Sequence, residues 1–243
     1  MITREMSMCQ AVLNNLQLLS LFPRFSIKLG YGERSVEEVC ELHHVNTDFF
    51  LEIANSYLYE DYVPSVELSR YPLGAVVRYI TSTHEYYLET ALPLVERKIY
   101  RMLEQSALSD KEIQLVTGFF NDYKKDFMTH ISDEEEHVLP YILELEKQSS
   151  MDHPSPDFIE KLDKYSIRQF ELEHDRLEYS LENLSRLIIK YLPPCEDFQL
   201  CHQVIKELSA LVKDLVDHAD MEDKVLIPRV AELEDKLRGE STA

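Results

Sequence analysis

Residues 130–146 read HISDEEEHVLPYILELE, and residues 218–234 read HADMEDKVLIPRVAELE. Laid one over the other, the two stretches share a histidine, a glutamate four residues on, a proline ten residues on and a closing Glu-Leu-Glu. Apolar positions match too, at Val138 and Leu226, Leu139 and Ile227, and Ile142 and Val230. An i, i+4 spacing puts His130 with Glu134, and His218 with Glu222, on one helix face a turn apart. Imidazole beside carboxylate is a ligand pair for iron, manganese or zinc. One such pair in an acidic helical chain reads as a solvated face. Two pairs inside a longer repeat read as a metal centre.

The repeat extends upstream. Single histidines, His84 and His174, precede the pairs by 46 and 44 residues. Helical rise sets His84 beside His130 across the turn near residue 105, and His174 beside His218 in a looser second hairpin. Four histidines and two glutamates thus come to one height of a bundle. If Glu134 and Glu222 each bridge two ions, the six side chains make eight metal bonds, four per ion. Iron commonly accepts six, which leaves positions for an oxo or hydroxo bridge and a small molecule. Two divalent ions with two carboxylates keep a charge of about +2, which favours an anionic bridge.

The rest of the chain supports an all-α protein. Only 5 of 243 residues are Gly, too few for the tight turns of a sandwich or barrel, while 44% are hydrophobic, enough for a core. There are 45 acidic against 25 basic residues, a net charge of −20 that repels nucleic acid and anionic membranes. Met1 to Leu21 lacks the basic head and apolar run of a secretory signal, and no stretch reaches the length of a membrane span. Cys9, Cys40, Cys195 and Cys201 are scattered without a C-x-x-C. A reducing, cytoplasmic setting with free thiols is the expectation.

Residues 1–65 read as a small helical domain. Helical patterns at Arg4–Leu21 and Ser35–Tyr57 flank the turn Gly30-Tyr31-Gly32, and Ser35 with Glu38 is a capping box. Tyr59–Tyr71 reads as a linker. Residues 72–238 read as four long antiparallel helices, an up-down-up-down bundle. The first begins at Pro72 and the second follows the capping box Ser109–Glu112. The third opens at Pro156 and stops at Pro193-Pro194, and the fourth runs from near Asp197 to about Leu237. Pro93, Pro140 and Pro228 fall inside these helices and should kink or break them.

Other candidates carry less. Adjacent His43 and His44 point about 100° apart on a helix and read as surface residues. His137 has no histidine at its place in the repeat, His153 sits in a loop, and His202 lies far from the ligand level. Tyr86, Tyr87, Phe119, Phe120 and Tyr123 read as bundle core and channel walls, with plain packing as the main reading and a lining that shields an open metal site as the alternative. No Ser-His-Asp or Cys-His arrangement, phosphate-binding glycine loop or basic patch is found.

The pattern H … H-x-x-x-E … E-H-D … H-x-x-x-E, with Glu173-His174-Asp175 as its third part, resembles the hemerythrin-like (HHE cation-binding) superfamily. Within it the chain is most similar to the di-iron proteins that repair iron–sulfur clusters. The resemblance covers about residues 75–235. It implies a hemerythrin-like bundle in which His84, His130, Glu134, His174, His218 and Glu222 hold two non-haem irons, oxo- or hydroxo-bridged, with both glutamates as bridges. Oxygen-carrying hemerythrins resemble the chain less, since Glu178 stands where they place a fifth histidine. Residues 20–60 are similar to the small N-terminal domain of the repair family through Ser35–Cys40. The Cys-Cys-Gly-Gly motif of that domain is replaced by Ile27-Lys28-Leu29-Gly30-Tyr31-Gly32.

The resemblance implies a role in nitrosative and oxidative stress, by iron supply or by binding and reducing nitric oxide. Its partners would be nitric oxide or oxygen and damaged iron–sulfur proteins, and the chain would be a monomer or dimer. The alternative readings are an oxygen or nitric oxide sensor without turnover, and a structural bundle with an incidental site.

Overall fold

The computed structural model describes residues 1–59, 62, 71–151, 153–168, 170, 178–191 and 197–239, and of 178–180 and 191 the backbone alone. Among the described residues the chain is all-α. Its extended pairing there is an isolated antiparallel bridge between Ser7 and Ser35. Two compact units are present, Met1–Tyr86 and Tyr87–Ala243.

In the first unit the helices are shorter than the sequence pattern predicts. Arg4–Leu21 resolves into α1 (Met8–Asn14) followed by a 3₁₀ turn, Leu16–Ser20. Ser35–Tyr57 resolves into α2 (Val36–Leu42) and α3 (Thr47–Leu58). The break follows from local chemistry. His44 takes a left-handed φ of 57°, which ends α2, and the Asn46 side chain then caps α3 by accepting from the Phe49 amide at 3.0 Å. The Ser35 box forms as expected: the Glu38 amide donates to Ser35 Oγ at 3.2 Å, and the Ser35 amide donates back to Glu38 Oε2 at 2.8 Å.

The unit closes with α4 (Leu73–Tyr86). Tyr79 from this helix meets the Phe25 ring at 5.3 Å and accepts a hydrogen bond from Arg24 Nη1 at 3.3 Å. Most of the Tyr59–Tyr71 linker lies outside the described residues.

The second unit is built of long rods. The first opens with a π turn, Tyr87–Ala91, and runs on into α5 (Leu92–Glu104). The next comprises α6 (Asp110–Asp133), a π turn at Glu134–Val138 and α7 (Leu139–Ser149). After α8 (Pro156–Lys164), the third rod is described at α9 (Glu178–Tyr191). The last comprises α10 (Phe198–Met221), a π turn at Glu222–Leu226 and α11 (Ile227–Arg238). Consecutive rods pack side by side, α5 on α6 and α9 on α10, and the bundle closes through α5 on α10, α6 on α9 and α7 on α11. Short connections make sequential neighbours antiparallel, the up-down-up-down order.

Two expectations change. Helix three does not run unbroken from Pro156. Tyr165 is extended at φ −132°, ψ 142°, and this ends α8. The chain restarts at Ile167, whose amide donates to Glu234 Oε1 at 2.9 Å while Ser166 Oγ donates to Glu234 Oε2 at 2.9 Å. Ser166 Oγ also accepts from the Arg168 amide at 3.4 Å, so the restart is capped jointly by its own serine and by a carboxylate from α11. The Pro193-Pro194 stop lies outside the described residues.

The prolines, in turn, do not sever their helices. Pro93, Pro140 and Pro228 each enter the helix that follows a π turn. A proline ring clashes with the carbonyl four residues back and offers it no N–H. One widened turn just upstream absorbs that conflict and lets the rod continue.

A further difference concerns the thiols. Cys9 and Cys40 are free, as expected, whereas Cys201 is disulfide-bonded. The buried Cys40 thiol is pushed up to about 12 by desolvation.

Candidate metal centre

The two sequence repeats fold alike. In each, a long helix delivers the histidine in its last turn, and the glutamate opens the π turn. His130 Nε2 lies 3.1 Å from Glu134 Oε1, and His218 Nε2 lies 3.2 Å from Glu222 Oε1. The i, i+4 pairs therefore face the same way, as the spacing requires. Both glutamates are buried, Glu134 at 2% and Glu222 at 3% exposure.

The pairs also meet across the bundle. Ligand atoms of Glu134, His218 and Glu222 all lie within 4.8 Å of one another. His130 stands outside that group and adjoins it through Glu134. Its side chain is 21% exposed against 9% for His218, so the centre is more open on the α6 side. His84 is buried near the end of α4, in the first unit, three residues before Tyr87. His174, with Glu173 and Asp175, lies outside the described residues.

Aromatic side chains back the site. The fully buried Tyr87 ring stands edge-on to the His218 imidazole, with centroids 5.6 Å apart and planes at 89°. Its hydroxyl donates to the main-chain carbonyl of Asp214 at 3.1 Å. Phe127 lies 5.8 Å from Tyr87 and stacks on Tyr123 at 5.7 Å. Phe120 is buried as expected, whereas Tyr86 and Phe119 are half-buried.

Asp214 is a buried carboxylate that the sequence reading passed over. Its place four residues before His218, in an Asp-x₃-His-x₃-Glu ladder, was the available signal. Next to His218, burial pushes Asp217 above the usual carboxylate range, and its bond with Lys213 draws it partly back.

The other histidines lie elsewhere. His137 pairs with Asp133 at 3.1 Å on an exposed face, His153 is exposed, and His202 stacks on Phe198 near the start of α10. His44 is exposed and His43 half-buried.

Two carboxylates brought this close inside a protein repel one another and lose hydration, a combination a bound cation relieves. Nitrogen and oxygen donors in this mix suit iron, manganese or zinc rather than the all-oxygen shell of calcium. The residues present therefore fit a transition-metal centre.

Comparison with known proteins agrees. Residues 88–230 match the model of the hemerythrin HHE cation-binding domain. The chain is also 20% identical over 227 residues to the iron–sulfur cluster repair protein ScdA of Staphylococcus haemolyticus (strain JCSC1435), covering 93% of this chain and 98% of that protein. More than half of the chain falls within the domain match, and the matched span carries both histidine–glutamate pairs. The chain belongs to the hemerythrin HHE cation-binding family.

Proposed function

We propose that this protein holds two non-haem iron ions and serves the repair of iron–sulfur clusters under nitrosative and oxidative stress. The observation that carries the reading is the meeting of Glu134, His218 and Glu222 within 4.8 Å, with both carboxylates buried. In this reading Glu134, Glu222, His84, His130, His174 and His218 would hold the ions. For His84 the support is its burial near the end of α4 and the spacing of the repeat. For His174 the support is the spacing of the repeat.

The bound irons would supply redox chemistry and positions for nitric oxide or oxygen, or would themselves be the cargo delivered to a damaged cluster. The chain's own residues do the rest. Tyr87, Phe127 and Tyr123 keep water from one side, while the partly exposed His130 marks the side on which ions and small ligands exchange. A net charge of −20 raises the local concentration of cations around the bundle. The relative's name supports cluster repair as the task.

The test begins with metal content per chain after anaerobic purification and the absorption spectrum after exposure to air. About two irons with a near-ultraviolet oxo-to-iron band, both lost in Glu134→Ala, are expected. The loaded protein should then restore an enzyme whose four-iron cluster was damaged by nitric oxide, and Glu134→Ala should not. Zinc, or no stoichiometric metal, overturns the reading. Reversible stoichiometric oxygen uptake without restoration would favour a binding protein instead.

A further inference from the structure

Among the described residues the second unit has three π turns, and each opens on a residue six positions before a proline: Tyr87 before Pro93, Glu134 before Pro140 and Glu222 before Pro228. In two of the three rods the opening residue is a carboxylate of the metal centre. In the first rod it is a phenol. Packing alone asks only for a large apolar ring at this place, and phenylalanine would serve. The hydroxyl needs its own explanation.

Its bond supplies one. Tyr87 Oη donates to the carbonyl of Asp214 at 3.1 Å, from a side chain with no exposed surface. Within α10, Asp214 and His218 are four residues apart, so that carbonyl is also the helical acceptor for the His218 amide. The phenol therefore grips the very turn on which His218 stands. The same ring abuts the His218 imidazole edge-on at 5.6 Å and 89°, which blocks rotation of the imidazole about its bond to the backbone.

From these contacts we infer that Tyr87 is a positioning residue for His218. The hydroxyl sets where the histidine sits along α10, and the ring sets the plane in which its nitrogens point. The inference rests on the proposed metal centre and goes beyond it, because it assigns a job to a side chain that is not a ligand. A histidine fixed in place before the ion arrives needs no reordering when it binds, so the bond to metal is stronger and better aligned.

The experiment compares wild type, Tyr87→Phe and Tyr87→Leu in the full chain. Each is loaded with iron(II), and separately with cobalt(II), whose visible bands report ligand geometry without any redox step. Tyr87→Phe keeps the ring and loses only the hydroxyl. It should release iron to a chelator about tenfold faster than wild type, with altered cobalt bands and an unchanged apo-protein unfolding midpoint. Tyr87→Leu should show a larger loss of both ions. Wild-type release rate and wild-type cobalt bands in Tyr87→Phe overturn the inference and leave the metal reading intact. Failure of wild type to take up either ion overturns both.

Discussion

The amide of Leu139 donates to the carbonyl of Glu134, five residues back along the chain. The same bond joins Ile227 to Glu222. In an α-helix each of these amides would reach four residues back, and the proline that follows would collide with the next carbonyl in the ladder. The glutamates thus sit at the point where the helix widens, and proline enforces the widening.

Replacing Pro140 with alanine frees that turn to tighten into α-helix and rotates α7 relative to the α-helical turn that carries His130 and Glu134. Pro140→Ala should retain wild-type helical content by circular dichroism and lose iron about tenfold faster to a chelator, in line with outer-shell changes at metal sites. An unchanged release rate would show that the widened turn has no bearing on the centre.

Glu134→Gln should change stability in opposite directions in the two forms of the protein. Without metal, two buried carboxylates repel, so neutralising one should stabilise the chain by on the order of 1 kcal/mol in urea unfolding. With iron, the variant forfeits the stabilisation that ligand binding confers on wild type. If wild type is the more stable in both forms, mutual repulsion is not the dominant strain in the apo site.

Glu234 joins three parts of the second unit. It is fully buried and accepts from Tyr141 Oη at 2.6 Å as well as from Ser166 and Ile167, with Arg238 Nη1 at 3.5 Å. The Tyr141 hydroxyl is correspondingly driven far above its usual range, by burial first and the carboxylate next. Glu234→Ala strands several donors at once and should cost about 3 kcal/mol. Its effect would appear as a lowered urea midpoint in the metal-free protein, so that it is separable from iron loss.

Arg168 grips Asp235 with two bonds, at 2.9 and 2.6 Å, and holds that carboxyl below the ordinary aspartate range. A depressed folded value means the stabilisation is present above the unfolded value near 4 and fades as pH falls through the folded one. Wild type should therefore exceed Arg168→Ala in urea midpoint at pH 7, with the gap closing on acidification below about pH 4. A gap that stays constant to pH 2 would mean the arginine acts through packing alone.

Much of the candidate centre's geometry was legible because a helix fixes which residues share a face. His130 with Glu134 and His218 with Glu222 obey the helical period, and repetition separates them from the other acidic residues of the chain. The π turns were not legible as such. Pro140 and Pro228 announce a conflict with the helix, yet whether it resolves as a break, a kink or a widened turn depends on packing around the rod. The stop after α2 was hidden for a similar reason, since a left-handed histidine at position 44 is an uncommon choice that composition does not signal. The restart at Ile167 depends on Glu234, 67 residues away, and no local window contains it.

The six-residue interval from each glutamate to its proline acts as a ruler. Deleting one residue within 134–140 or 222–228 would turn the helix that follows by about 100° relative to the glutamate and the long helix before it. Adding one would do the same in the other sense. Length changes in this bundle are therefore tolerable in the connections between rods and not inside those two windows, where chain length sets how the two halves of a rod face the candidate centre.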